Sequence, residues 1–139
     1  MVILVVEDEA ILAMALEAVL TDAGHLVLGP ASTASRAVEI AERQQPDLAL
    51  VDINLRDGSS GVELARAMQA RWGTPSLFMT AQGQQARANR DAALGLLDKP
   101  YDLDTVLASV EIAKEVIDGR NPPPPPVPRG LELFAQTRH

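Results

Sequence analysis

The chain contains no cysteine, so disulfides, thiol nucleophiles and thiolate metal sites are excluded. Aromatic residues fill only 3% of its 139 positions while hydrophobic residues fill 47%, so a core must be built from Val, Leu, Ile and Ala. Cations are also scarce: 12 Lys and Arg against 19 Asp and Glu leave a formal net charge of −7. That balance argues against direct contact with nucleic acid, whose phosphates demand concentrated positive charge. No apolar run reaches membrane-spanning length, and "MVILVVEDEA" lacks the basic region and cleavage site of a leader. The expectation is a cytoplasmic protein of one domain, with neither nucleic acid nor membrane as partner.

What is present is a serial alternation of strand and helix patterns. Met1 to Val6 is continuously apolar, as in a strand buried on both faces. "EDEAILAMALEAVLTDAG" then places Leu12, Leu16, Val19, Leu20 and Ala23 on one helical face, with Gly24 where a C-cap belongs. "HLVLG" reads as a second strand, "TASRAVEIAERQQ" as a second helix, "DLALVDI" as a third strand and "GVELARAMQARW" as a third helix. "TPSLFMTA" is a fourth strand opened by Pro75, and "LGLLDKP" a short fifth one. "YDLDTVLASVEIAKEVID" closes the series as an amphipathic helix, with Leu103, Val106, Leu107, Val110 and Ile117 on its apolar face and Asp102 as N-cap. Five βα units predict an α/β doubly wound, five-stranded parallel sheet with helices on both faces. "NPPPPPVPRG" follows as a polyproline II spacer, giving a domain over 1–119, a linker over 120–130 and a tail over 131–139.

The strand ends carry the chemistry. The first ends in Glu7-Asp8, the third in Asp52, the fourth in Thr80 and the fifth in Asp98-Lys99-Pro100. An aspartate that only opens a turn is the simpler reading of "VDINLRDGSSG" taken alone. In a doubly wound sheet, however, all these ends lie along one edge, at the crevice where ligands bind. Carboxylates converging there repel one another, and a hard divalent cation relieves that repulsion; oxygen ligands without His or Cys favour Mg²⁺. A cation, a lysine and a hydroxyl suit a phosphoryl group, which Asp52 can accept as an acyl phosphate.

"VVEDEA", "ALVDINL", "LFMTA" and "LDKPYD", in this order and at strand ends, resemble the receiver domain of two-component response regulators. The resemblance covers roughly residues 1–119. It implies a flavodoxin-like sheet of strand order 2-1-3-4-5 and Asp52 as phosphoacceptor. Asp8 and Glu7 become the acidic pair, Asp8 as a direct Mg²⁺ ligand and Glu7 acting through water, while the backbone carbonyl of Asn54 completes the metal shell. Lys99 would contact a phosphoryl oxygen, Pro100 would follow a cis peptide bond, and Thr80 with the backbone N–H of Ala81 would close on the phosphoryl group. The implied partners are a histidine kinase or histidine phosphotransfer protein as donor and a downstream protein as target. The implied activity is a regulator's, limited to its own phosphorylation and dephosphorylation.

Several residues depart from that pattern. Arg56 stands where a proline is usual, and Gly61 lies one residue later than usual after Asp52. The "LRDGSSG" loop resembles a subgroup with a P-F-x-F-A-T-G fourth strand; Pro75, Phe78 and Thr80 match it, while Ser76, Met79 and Ala81 do not. Leu96 replaces the Phe or Tyr that swings inward in most receivers, and Tyr101 is expected to pack rather than switch. The segment between Thr80 and Lys99 is nearly one helical turn shorter than usual, and "GQQARANRDAA" offers only alanine methyls for burial. The fourth helix is therefore expected to be short, displaced or mobile, with the signal passing through Thr80 and the ordering of that helix.

Other readings are weaker. A haloacid dehalogenase-type enzyme needs D-x-D after its first strand, where this chain has "EDEA". A phosphorylation-independent binding module is the alternative if the assembled site is inert. His25 and His139 are read as bystanders, Trp72 as partial packing, and Arg66 and Arg71 as a solvated helix face. No effector pattern follows the linker, so a stand-alone regulator is expected. Leu131, Leu133 and Phe134 are expected to dock on their own domain or on a neighbouring chain in a homodimer.

Overall fold

The strands Val2–Val6 (β1) and Leu48–Asp52 (β3) are apolar on both sides and need cover on both. A computed structural model describes residues 1–119 and 127–134 and shows how that cover is built. Along β1, Ile3 and Val5 face one core with Leu16 and Leu20 of Ala10–Asp22 (α1) and Val106 and Val110 of Leu103–Ile117 (α5). Leu4 and Val6 face the other, with Ala37 and Ala41 of Ala34–Arg43 (α2) and Leu64 and Met68 of Gly61–Trp72 (α3). The two-residue period of a strand thus divides a single apolar run between two cores.

With Leu26–Ala31 (β2), Ser76–Thr80 (β4) and Gly95–Asp98 (β5), the parallel strands take the predicted order β2-β1-β3-β4-β5. The Asp102 cap follows the sequence signal, and α3 is capped at both ends as well. The Ser60 hydroxyl accepts from the Glu63 N–H at the start of α3, and Gly73 ends that helix at φ 67°. Asp102 accepts from the Thr105 N–H at 2.7 Å, and those hydrogen bonds hold its carboxyl below the usual range. The amphipathic reading of α5 fails at its ends, where Leu103 and Ile117 are exposed.

Three features differ from the sequence reading. The sheet has six strands, because Leu131–Leu133 (β6) adds antiparallel to β5. The open edge of β5 offers unpaired backbone groups, and the alternating "LEL" after the prolines satisfies them. The tail therefore docks on its own domain. Residues 120–126 and 135–139 lie outside the described residues, and with them most of the expected spacer and the tail beyond Phe134. The described end of the spacer is not extended but turns at Arg129 and Gly130, where the Leu131 N–H donates to Pro128 at 3.2 Å.

The helix Gly83–Ala88 (α4) is short, as expected, and a 3₁₀ turn over Arg90–Ala92 follows it. Alanine methyls are not all that holds this segment, however. Ala86, Ala92 and Ala93 form a third core with Phe78, Leu96 and Phe134. The Arg66 guanidinium donates to both Asp91 oxygens at 2.8 and 3.0 Å and to Asn89 at 3.1 Å, tying the turn to α3.

Arg66 and Arg71 are consequently more than a solvated face. Arg71 reaches Glu42 of α2 at 3.2 Å and stacks 4.3 Å from the Trp72 ring centroid. Charge pairing between helices far apart in sequence leaves no local pattern to read.

Candidate functional site

β1 and β3 run side by side and in register, Val6 opposite Val51, so their carboxyl ends deliver Glu7, Asp8 and Asp52 to one point. Oxygen atoms of these three carboxylates lie within 4.8 Å of one another. Glu7 and Asp52 are nearly closed to solvent, at 2% and 7% exposure, whereas Asp8 is half-buried. β5 ends one strand further along, beyond β4, and from there Lys99 reaches back. Its ammonium donates to Glu7 Oε1 at 2.8 Å and to Asp52 Oδ2 at 3.1 Å.

Burial sets the balance of charge here. It pushes the Glu7 carboxyl above the ordinary range, and the hydrogen bond from Lys99 does not fully reverse this. Burial also works against the Lys99 ammonium, but its contacts with Glu7 and Asp52 outweigh that cost and hold its pKa above the usual value. A lysine between two carboxylates gains from both, while each carboxylate shares it.

The backbone fixes the acids in place. The Asn54 N–H donates to Asp52 Oδ1 at 3.2 Å, the Glu9 N–H to Glu7 Oε2 at 3.3 Å, and the Arg56 N–H to Asp8 Oδ2 in a short contact. Arg56, where a proline was usual, thus supplies a donor that proline lacks. Gly61 keeps its role despite the extra loop residue: a Cβ there would lie 2.2 Å from the Asp52 carbonyl oxygen. The added residue is absorbed by a turn from Leu55 to Gly58 and by a bridge between Asn54 and Ser60.

Thr80 is buried at the end of β4, and its hydroxyl oxygen accepts the Gln82 N–H at 2.8 Å. Ala81, Glu9, Leu12, Lys99, Pro100 and Tyr101 line an open cleft of about 370 Å³ beside the acids. The Lys99–Pro100 bond is cis, as the resemblance implied, and so is Gly29–Pro30. Tyr101 packs: its hydroxyl meets Met79 Sδ at 3.4 Å, and burial among negative charges raises its pKa far above the phenol norm.

One contact set escaped the sequence reading. The Asn54 side-chain amide donates to Gln82 and Gln85 at 3.2 and 3.3 Å, joining the loop after Asp52 to the start of α4. Positions 54 and 82 meet only through the pairing of β3 with β4, so no spacing announces them. His25, read as a bystander, lies far from the acids; its Nδ1 sits 3.1 Å from the N-terminal ammonium.

Comparison with known proteins decides the family: the response regulator receiver domain matches residues 3–111. This chain is a receiver domain. PhyR, the phyllosphere-induced regulator of Methylorubrum extorquens, is 38% identical over 113 residues, which cover 80% of this chain and 42% of PhyR. PdtaR, a transcriptional regulatory protein of Mycobacterium tuberculosis, is 31% identical, with 80% of this chain and 55% of PdtaR covered. The receiver domain thus spans about half the length of these relatives. Among solved structures, the signal receiver domain of a modulated diguanylate cyclase from Desulfovibrio desulfuricans superposes with a TM-score of 0.72 at 34% identity, covering 84% of this chain and 95% of that one. Receiver domains are regulatory rather than enzymes in the ordinary sense. They bind Mg²⁺ at an acidic pocket and exchange signals with kinases or phosphotransfer proteins and with downstream effectors. Among the described residues no helix is long and apolar enough to cross a membrane.

Proposed function

We propose that Asp52 is the phosphoacceptor of this receiver domain, and that a histidine kinase or histidine phosphotransfer protein is its donor. The observation that carries this reading is the Lys99 ammonium held between Glu7 and Asp52 within a three-carboxylate cluster. The donor set is all oxygen and anionic, which fits Mg²⁺; Asp8, Asp52 and the Asn54 carbonyl would hold it directly and Glu7 through water. The bound cation would offset charge on the phosphoryl oxygens.

In the transfer, a carboxylate oxygen of Asp52 forms a bond to phosphorus as the bond from phosphorus to the donor's imidazole nitrogen breaks. The bonding pair stays on that nitrogen. Asp52 becomes an acyl phosphate and no longer offers Lys99 a free carboxylate, so the ammonium turns to a phosphoryl oxygen. The Thr80 hydroxyl and the Ala81 N–H, at the adjacent strand end, would donate hydrogen bonds to the remaining phosphoryl oxygens. Hydrolysis adds water at phosphorus, releases inorganic phosphate and restores the carboxylate. Both reactions concern only the protein's own side chain.

The donor must present its phosphohistidine above the acids, next to the first turn of α1. Ile11 and Met14 are 86% and 69% exposed there, one turn apart, and supply an apolar contact for a partner helix. The decisive experiment is incubation with acetyl phosphate and Mg²⁺ followed by intact-mass measurement. A gain of one phosphoryl group in the wild type and none in Asp52→Asn supports the reading. No gain in either protein rejects it and favours a phosphorylation-independent binding module.

A further inference from the structure

We propose that the segment Leu131–Phe134 is a built-in ligand of the groove between α4 and β5, and that it opposes loading of the acidic pocket. This rests on the phosphoacceptor reading and extends it to the chain's own tail.

The seat is specific in three ways. First, the backbone ladder of β5 and β6 is prolonged at both ends, by the Asp98 N–H donating to Gly130 at 2.9 Å and the Phe134 N–H to Leu94 at 2.8 Å. Second, Gly95 is the one residue type that admits β6. A Cβ at this position would lie 2.3 Å from the Glu132 carbonyl oxygen, and the next nearest atoms are also β6 backbone. Third, α4 and the turn after it grip the tail: Arg87 Nε donates to both Glu132 oxygens at 3.0 Å, and the Arg90 guanidinium lies 5.7 Å from the Phe134 ring centroid. The ring is buried against Ala86, Ala92, Ala93 and Leu96.

The opposite end of the same six-residue helix is committed to the pocket. Gln82 occupies the Thr80 hydroxyl through its N–H, and Gln82 and Gln85 both hold the Asn54 amide. Loading the pocket calls Thr80 and the Asn54 carbonyl toward a phosphoryl group and a cation, which disturbs those contacts and shifts α4. Arg87, Ala86 and the seat of Phe134 ride on that helix. A helix this short cannot absorb the shift along its length, so the tail loosens. Coupling of this kind is reciprocal: if loading weakens the tail, removing the tail strengthens loading by the same factor.

The test uses the whole 139-residue chain with beryllofluoride and Mg²⁺ as the loading probe. Saturation should speed amide exchange at Phe134 and Asp98. Gly95→Ala, which expels β6 by contact, and Glu132→Lys, which faces Arg87 with like charge, should each bind beryllofluoride at least about 5-fold more tightly than wild type. Glu132→Lys carries the test if Gly95→Ala does not fold. Unchanged exchange at Phe134 under saturation, or wild-type affinity in both folded variants, overturns the proposal while leaving the phosphoacceptor reading intact. Failure of the wild type to bind beryllofluoride overturns both.

Discussion

Asp8 and Asp52 lie within one cluster yet are held differently. Asp52 is tied to Lys99 and the Asn54 N–H, whereas half-buried Asp8 accepts from the Arg56 N–H. Asp8→Asn should therefore leave the fold intact and weaken Mg²⁺, since one hard anionic ligand is lost. Calorimetric titration with MgCl₂ checks this, and wild-type affinity would contradict it. His25 offers a pH-dependent prediction. Burial lowers its pKa, the N-terminal ammonium lowers it further, and Glu111 only partly offsets both. The unfolded chain then binds the proton more tightly than the native one, so stability falls as pH drops through the ordinary imidazole range. Denaturation midpoints of wild type and His25→Gln should diverge in slope between about pH 7 and about pH 5, the variant losing less. Parallel slopes would show that His25 is not the group responsible.

The contact of α3 with β3 can be broken at one atom. A Cβ on residue 61 would meet the Asp52 carbonyl oxygen and the backbone of Ile53. Gly61→Ala should cost about 1–3 kcal/mol, the usual penalty for forcing atoms into a packed core, and slow acetyl phosphate labelling by moving Asp52 itself. Urea denaturation and the labelling rate report the two effects separately. This glycine was legible as a helix start because the apolar periodicity of "GVELARAMQARW" begins with it, whereas the Ser60 cap before it emerged only in the structure. The strand ends were legible for a similar reason: runs such as "LALVDI" are apolar on both faces, and their first carboxylate marks where burial stops. β6 was not legible. Three residues carry too little pattern to declare a strand, and its existence depends on an open partner edge and a glycine thirty-odd positions away. The grip of Arg66 on Asp91 and Asn89 was hidden likewise, because either end alone looks like surface charge.

At the scale of the whole molecule, the proposed donor contact lies on the surface of α1 while the tail is part of the core. Ile11 and Met14 are exposed on α1, whereas Leu131 packs in the core that α1 and α5 share and Phe134 in the core beside α4. Met14→Glu should therefore slow phosphotransfer from a protein donor yet leave acetyl phosphate labelling at the wild-type rate. Equal loss with both donors would place Met14 in the fold rather than in the docking face. The six-stranded order leaves β2 and β6 as the outer strands. β6 spans only three residues, and the Leu131 N–H that opens it is already spent on the Pro128 carbonyl at 3.2 Å. So the sheet terminates on its tail side in a stub rather than in a template. Copies of the chain meeting along that side find too few free donors to extend the ladder from one molecule into the next, and the strand that completes the sheet also stops it from growing.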